Sequence, residues 1–298
     1  MGILINKQTH VVIQGLTGKE GLKSAISLRE YHTHVAAGVT PGKGGTEVEG
    51  FSIYNTVAEA RNKHPEINTS VLYVPAKAVF DAAVEAIESG IKLINIITEQ
   101  VPLRDVSRLL AIANYRGVRI IGPSSVGIIT PEVAKLGSMG GFNPRRAFSK
   151  GPVGIISKSG GMSSEIAHML TQEKIGQTTV IGIGGDRIAG STFADLLPLF
   201  EKDPDTKLVV IYGEIGGTYE EDAAKVLQQK RYTKPLVACI SGLFAETLPS
   251  GLNLGHAGAI IYGNEGTRKS KVSALKKAGA HIVDTLDRIP SVCKKILS

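Results

Sequence analysis

The sequence predicts an α/β protein made of two doubly wound domains, each a parallel sheet with helices on both faces. Three observations carry this. Strand-length apolar runs alternate with helical stretches of about ten residues, the signature of βαβ units. The runs are continuous in Val and Ile rather than alternating, which suits strands covered on both faces. The chain has 298 residues, too many for one ordinary core and suited to two domains of roughly 100–200 residues each.

The first series reads in order. Residues 11–14 form a strand that stops at Gly15, and 20–30 follow with helical spacing. Residues 35–39 are the next strand and run into Thr40-Pro41-Gly42-Lys43-Gly44-Gly45. A third strand spans 70–74. Residues 79–88 form a helix closed by Gly90, 93–97 a strand, 106–115 a helix, and 119–121 a strand that meets Gly122-Pro123. Between Gly127 and Lys150, Gly and Pro cluster and periodicity is lost, so the boundary is placed there. In the second series strands at 153–156, 179–183, 208–212, 236–240 and 281–283 alternate with helices at 162–172, 193–200, 220–229 and 269–278.

Composition narrows the function. Hydrophobic residues are 42% and charged residues 20%, ordinary for a globular protein. No stretch approaches the ~18–20 uninterrupted apolar residues that cross a bilayer. The start, Met1-Gly2-Ile3-Leu4-Ile5-Asn6-Lys7, lacks the features of a signal peptide and of a myristoylation site. The expectation is no membrane partner and a cytoplasmic chain, or a mitochondrial matrix one if a transit peptide has been removed. Cys239 and Cys293 form no metal or redox pair, which predicts free thiols in a reducing compartment. The net charge of +7 favours anionic partners. The basic residues are dispersed, aromatics are 5% and Trp is absent, which argues against nucleic acid and for a small phosphorylated ligand.

Ligands of open parallel sheets bind beyond the C-terminal strand ends, and the loops there are rich in glycine. Gly15-Leu16-Thr17-Gly18-Lys19-Glu20-Gly21 joins a strand to a helix. It reads either as a phosphate cradle at a helix start or as a plain turn. Its spacing is not the usual dinucleotide one, and no acid follows the second strand to hold a ribose. Lys43 stands there instead and suits a further phosphate. Ser159, Gly160 and Gly161 open another helix and read as an anion cradle or as an ordinary N-cap. Glu214, directly after an apolar strand, is a carboxylate that needs a partner and could orient a histidine. Among seven histidines only His256, in Gly255-His256-Ala257-Gly258-Ala259, is framed by small residues that leave room at the imidazole. His10, His32, His34, His64 and His281 sit at element edges, and His168 lies within a helix.

Taken together, these loops resemble the α subunit of succinyl-CoA synthetase from the N-terminus to near residue 285. The 255–260 run GHAGAI and the 213–217 run GEIGG are its specific parts. The resemblance implies a Rossmann-like CoA-binding domain over 1–127 and a flavodoxin-like ligase domain over 128–298. It implies that Thr17, Gly18, Lys19, Glu20, Lys43, Tyr73, Val74, Pro75, Ile97, Thr98 and Glu99 border CoA. It further implies that His256 is the phosphorylated histidine, Glu214 the acid that holds it, and Ser159, Gly160 and Gly161 the phosphate cradle. The partner would be a β subunit of ATP-grasp fold that binds ATP or GTP with Mg2+; no metal site is expected on this chain. The implied reaction passes a phosphoryl group from nucleotide to His256 and then to the carboxylic acid, and the CoA thiol displaces phosphate from the acyl phosphate.

Three places depart from the succinate-using pattern. Ser164 replaces a tyrosine, Arg187 a proline, and Ser124-Ser125-Val126 stand where N-C-P is usual. There the chain is more similar to ATP-citrate lyase, though the further cleavage domain of that enzyme is not expected here. Ser164 and Arg187 would enlarge the acid site and add a carboxylate partner, so a citryl-CoA-forming subunit is an alternative. A CoA-binding sensor without catalysis and an NAD-dependent dehydrogenase are more distant ones.

Overall fold

The computed structural model describes residues 2–243, 256–259 and 266–298, and they form two seven-stranded sheets. In the first unit β1 (His10–Gln14), α1 (Lys19–Glu30), β2 (His34–Val39), β3 (Glu47–Val48), β4 (Phe51–Tyr54), α2 (Val57–Lys63), β5 (Thr69–Leu72), α3 (Val79–Glu88), β6 (Leu93–Ile96), α4 (Leu103–Arg116) and β7 (Arg119–Ile121) follow one another. The strand order is β3-β4-β2-β1-β5-β6-β7, parallel except at the β3–β4 edge. Setting β3 aside, this is the dinucleotide-fold order, whose direction reverses between β1 and β5. Val11, Val12 and Ile13 of β1 are fully buried, as a strand covered on both faces requires.

The second unit comprises β8 (Gly127–Thr130), β9 (Ala134–Gly137), β10 (Lys150–Ser157), α5 (Gly160–Gln172), β11 (Gln177–Gly182), α6 (Phe193–Lys202), β12 (Leu208–Gly213), α7 (Tyr219–Gln228), β13 (Leu236–Ile240), α8 (Arg268–Lys277), β14 (His281–Val283) and α9 (Ile289–Leu297). Its order is β14-β13-β12-β10-β11-β8-β9. The five strands from β10 onward are parallel in flavodoxin order, reversing at β10, and the antiparallel β8–β9 hairpin extends the β11 edge.

The alternation read from the sequence is present throughout, with additions. Residues 127–137, where periodicity is lost, form the β8–β9 hairpin. All eight of its strand residues are buried, so no alternation marks them. β3, β4 and α2 are short, and α9 opens on Ile289-Pro290, a helix start that proline favours. It packs on α5 and β13 through Ile289 and Cys293. Cys239 is buried too, and both thiols are free. Among the described residues no helix is long and apolar enough to cross a membrane.

The hairpin ties the two units together. Lys135 of β9 is fully buried under α1 and donates from Nζ to Ser27 Oγ at 2.7 Å, Gly141 O at 2.6 Å and Met139 O at 3.2 Å. Its backbone exchanges two further bonds with Thr33. One buried cluster, with Ile13, Leu16 and Leu28 at one end and Leu136, Ile156 and Ile181 at the other, runs through both units. The C-terminal strand ends of both sheets border one run of hollows.

Candidate active site

The second sheet reverses direction at β10, and its C-terminal end holds the charged groups. Ser157 ends the strand, and Ser159 caps α5 by accepting the Met162 N–H at 3.5 Å. A Cβ on Gly160 would lie 2.7 Å from Val126 Cγ1, whereas Gly161 faces open space. The first N–H groups of a helix lack partners within it, so this end is suited to an anion.

Glu214 follows β12 and is 8% exposed. Its backbone N–H donates to Glu220 Oε1 at 3.1 Å, and Glu220 forms an ion pair with Lys271, both fully buried. Lys271 also donates to Gly216 O at 2.8 Å, so the buried pair grips the loop that carries Glu214. Gly213 has to be glycine, because a Cβ would stand 2.3 Å from Glu220 Oε1.

The Glu214 carboxylate is shared. Oε2 accepts from His256 Nδ1 at 2.6 Å, and Oε1 lies 3.4 Å from Lys158 Nζ. Burial acts to raise the Glu214 pKa, but the His256 hydrogen bond and the Lys158 charge outweigh it and hold the carboxyl below its ordinary value. The same hydrogen bond raises the His256 pKa; partial burial and Lys158 oppose the shift without cancelling it. With Nδ1 engaged as donor, Nε2 is the nitrogen free to react. The imidazole rests on Gly185, where a Cβ would meet its Cγ at 2.4 Å. Gly258 N–H donates to Gly185 O at 3.0 Å, and Arg187 Nε to Ala257 O at 3.1 Å, which fixes the turn. Gly255 and Ile260 of the same run lie outside the described residues.

His256, Lys158, Ser159, Gly160 and Gly161 line one cavity of about 600 Å³ together with Glu99 and Asp186. Burial raises the Asp186 pKa against a 2.8 Å hydrogen bond from Ser124 Oγ. A second hollow of about 500 Å³ shares Ile97 and Ser138 with this cavity, and a third of about 730 Å³ shares Tyr73, Val74 and Pro75 with the second. Together they run from Thr17 and Gly18, at the reversal between β1 and β5, to His256. Gly15 allows this approach: its φ is +85°, and a Cβ there would lie 2.6 Å from Tyr73 O.

The structure therefore brings together most of the residues singled out from sequence. Thr17, Gly18, Glu20, Tyr73, Val74, Pro75, Ile97 and Thr98 line the two outer hollows. Lys43 Nζ donates to Thr17 Oγ1 at 3.2 Å, and Glu99 belongs to the inner cavity. Lys19 is exposed at the start of α1 and lines none of the three. Ser164 and Arg187, expected at the acid, do not line them either; Arg187 is exposed and braces the histidine turn. Sequence reasoning missed Lys158, Asp186 and the Glu220–Lys271 pair. A lysine between a buried strand and a capping serine was the one local signal for Lys158.

Comparison with known proteins agrees with this layout. Residues 6–100 match the CoA binding domain family and 156–281 the CoA-ligase family. The chain is 46% identical over 299 aligned residues to the succinate–CoA ligase [ADP-forming] subunit alpha of Aquifex aeolicus, covering 100% of this chain and 95% of that one. It is 43% identical to subunit alpha 1 of Archaeoglobus fulgidus, covering 100% and 99%. Among solved structures, ATP citrate lyase from Methanothrix soehngenii in complex with citrate and coenzyme A superposes with a TM-score of 0.90 at 27% identity. That match covers 99% of this chain and 50% of the lyase chain, so the chain spans half the lyase's length. With this identity over its whole length, the chain belongs to the family of ADP-forming succinate–CoA ligase α subunits.

Proposed function

We propose that the chain is the CoA-binding, phosphohistidine-carrying subunit of an ADP-forming succinate–CoA ligase. The single observation that carries this is the 2.6 Å His256 Nδ1–Glu214 bond, which leaves Nε2 free in a polar cavity that continues into the outer hollows. Glycines at the first loop, the exposed start of α1 and apolar walls at Val74, Pro75 and Ile97 suit a long ligand with a phosphate end and a thin reactive arm.

In this reading His256 Nε2 takes the terminal phosphoryl group of ATP held, with Mg2+, on an ATP-grasp β partner. Its lone pair forms the N–P bond while the P–O bond to the β-phosphate breaks and ADP leaves with the bonding pair. The ring becomes positive and keeps its Nδ1 proton against Glu214, which stabilises the charge. The acid's carboxylate oxygen then attacks phosphorus, the N–P bond breaks, and His256 is restored. The CoA thiolate attacks the acyl carbon and phosphate departs, while Ser159 and the α5 N–H groups hold phosphate near His256.

Succinate is favoured over citrate on two grounds. The succinate ligases match at 43–46% identity, against 27% for the citrate lyase. The two residues that suggested a larger acid, Ser164 and Arg187, stand outside the cavity. A sensor would have no use for a histidine held by a buried lysine–carboxylate pair, and a dehydrogenase would lack an acid at the end of β2 for its ribose.

The test is co-expression with a β-type partner. ATP should place one acid-labile, base-stable phosphate on wild type and none on His256→Asn, and turnover should be highest with succinate among succinate, malate and citrate. Equal labelling of His256→Asn would remove the mechanism, and a preference for citrate would restore the larger acid.

A further inference from the structure

Lys158 carries a charge whose partners are incomplete. Its side chain is 2% exposed, and among the described residues its Nζ meets one anion, Glu214 Oε1, at 3.4 Å. That is longer than the ~2.7–2.9 Å of a strong charge-assisted bond, and an ammonium has three protons to donate. The face of Tyr219, 5.3 Å away, supplies only a weak attraction. The other two buried lysines are better satisfied: Lys135 has three oxygen acceptors, and Lys271 has Glu220 and Gly216 O. A buried charge is costly unless paired and hydrogen-bonded. Glu214 cannot complete the pairing, since its other oxygen is taken by His256.

The unused donor capacity belongs to a residue that lines the cavity of His256, beside the open N–H groups of Gly160 and Gly161. Glu99 and Asp186 line it too, so a phosphate dianion there meets two carboxylates and needs a fixed positive charge. We infer that the Lys158 ammonium is a further catalytic group, which binds the oxygens of the phosphoryl group as it passes onto and off His256. This rests on the phosphohistidine reading. Lys158 neither gives nor takes a proton: it remains an ammonium while the N–P bond forms and breaks, and it offsets the charge on the phosphoryl oxygens.

The role can be tested on the full chain alone, with phosphoramidate as donor. His256 Nε2 attacks phosphorus, the P–N bond of the donor breaks, and ammonia leaves with the bonding pair. Labelling is followed by 31P NMR in wild type, Lys158→Gln, Lys158→Met, Lys158→Arg and His256→Asn, with inorganic phosphate as competitor. Removing Lys158 also lets the His256 pKa rise, since its charge opposes protonation of the ring. Each variant is therefore assayed above its own His256 midpoint, where that effect vanishes.

The neutral variants should label about 100-fold more slowly and lose the protection by phosphate expected of wild type, whereas Lys158→Arg should keep most of both. Lys158→Gln retains hydrogen-bonding capacity toward Glu214 and serves if Lys158→Met does not fold. Wild-type rate and phosphate competition in Lys158→Gln, with no label on His256→Asn, would overturn the role of Lys158 alone. Undiminished label on His256→Asn would overturn the phosphohistidine reading and this inference with it.

Discussion

The C-terminal ends of the two sheets use the same topology for different work. Both gather loops where the strand order reverses. Beside the first, between β1 and β5, the outer hollows have glycine, Thr17 and walls of Tyr73, Val74, Pro75 and Ile97; of the charged residues that line them, Glu20, Lys23 and Asp81 are exposed and Glu85 is half-buried, and exposed Lys43 reaches Thr17. At the second, around β10, Lys158 and Glu214 are buried against His256, and a second buried ion pair beneath them fixes the loop. The first arrangement can bind a ligand without altering it. The second holds opposed charges out of water, where they act strongly on a reacting group. Fold alone does not separate binding from chemistry; the depth and pinning of charge does.

The largest test of this division is His256→Asn. It should abolish the acid-labile phosphate while leaving the affinity for CoA unchanged by calorimetric titration. Loss of both would mean that the two sheet ends do not work separately.

Lys271→Met comes next. It strands Glu220 in the interior and should cost about 3–5 kcal/mol, read as a lower midpoint in denaturant unfolding. Labelling of His256 should fall as well, because Glu214 loses its support. An unchanged midpoint would show that the pair does not hold the loop.

Glu214→Gln should slow labelling by roughly 10–100-fold and move the His256 NMR titration down. In wild type the raised pKa means that labelling rises with pH through a midpoint above the ordinary ~6.5, since only the neutral ring attacks; in the variant the midpoint shifts lower. The stability sign follows from the same shift. The His256–Glu214 pair contributes fully below the unfolded histidine pKa and is lost as pH rises through the raised one. An identical pH profile in Glu214→Gln would detach the carboxylate from the histidine.

The smallest effect is expected at the first sheet. Lys43 is exposed and reaches Thr17, so Lys43→Ala should weaken CoA by about fivefold at low salt and hardly at all in high salt. A loss that persists in high salt would mean that Lys43 shapes the loop instead.

Much of the site was legible because glycine requirements are local. Gly15 at φ +85° and Gly185 under the imidazole are needed where they stand, and they punctuate the sequence at strand ends. Glu214 was legible as a carboxylate directly after an apolar strand. The β8–β9 hairpin was not, because burial on both faces erases the alternation that marks a strand. Ser164 and Arg187 were singled out only by their places in the loops; neither lines the three hollows, and Arg187 Nε donates to Ala257 O.

By itself the sequence determined the two wound sheets, the glycine loops at their strand ends, and His256 with Glu214 as the reactive candidates. Apolar runs, turns and small-residue frames are properties of neighbours along the chain. Only the tertiary structure decided that one carboxylate is divided between His256 and Lys158, that Glu220 and Lys271 hold it, and that a run of hollows joins it to Thr17. Those facts depend on charges distant in sequence meeting inside the protein. A buried charge gains or loses free energy through whichever group the fold places beside it.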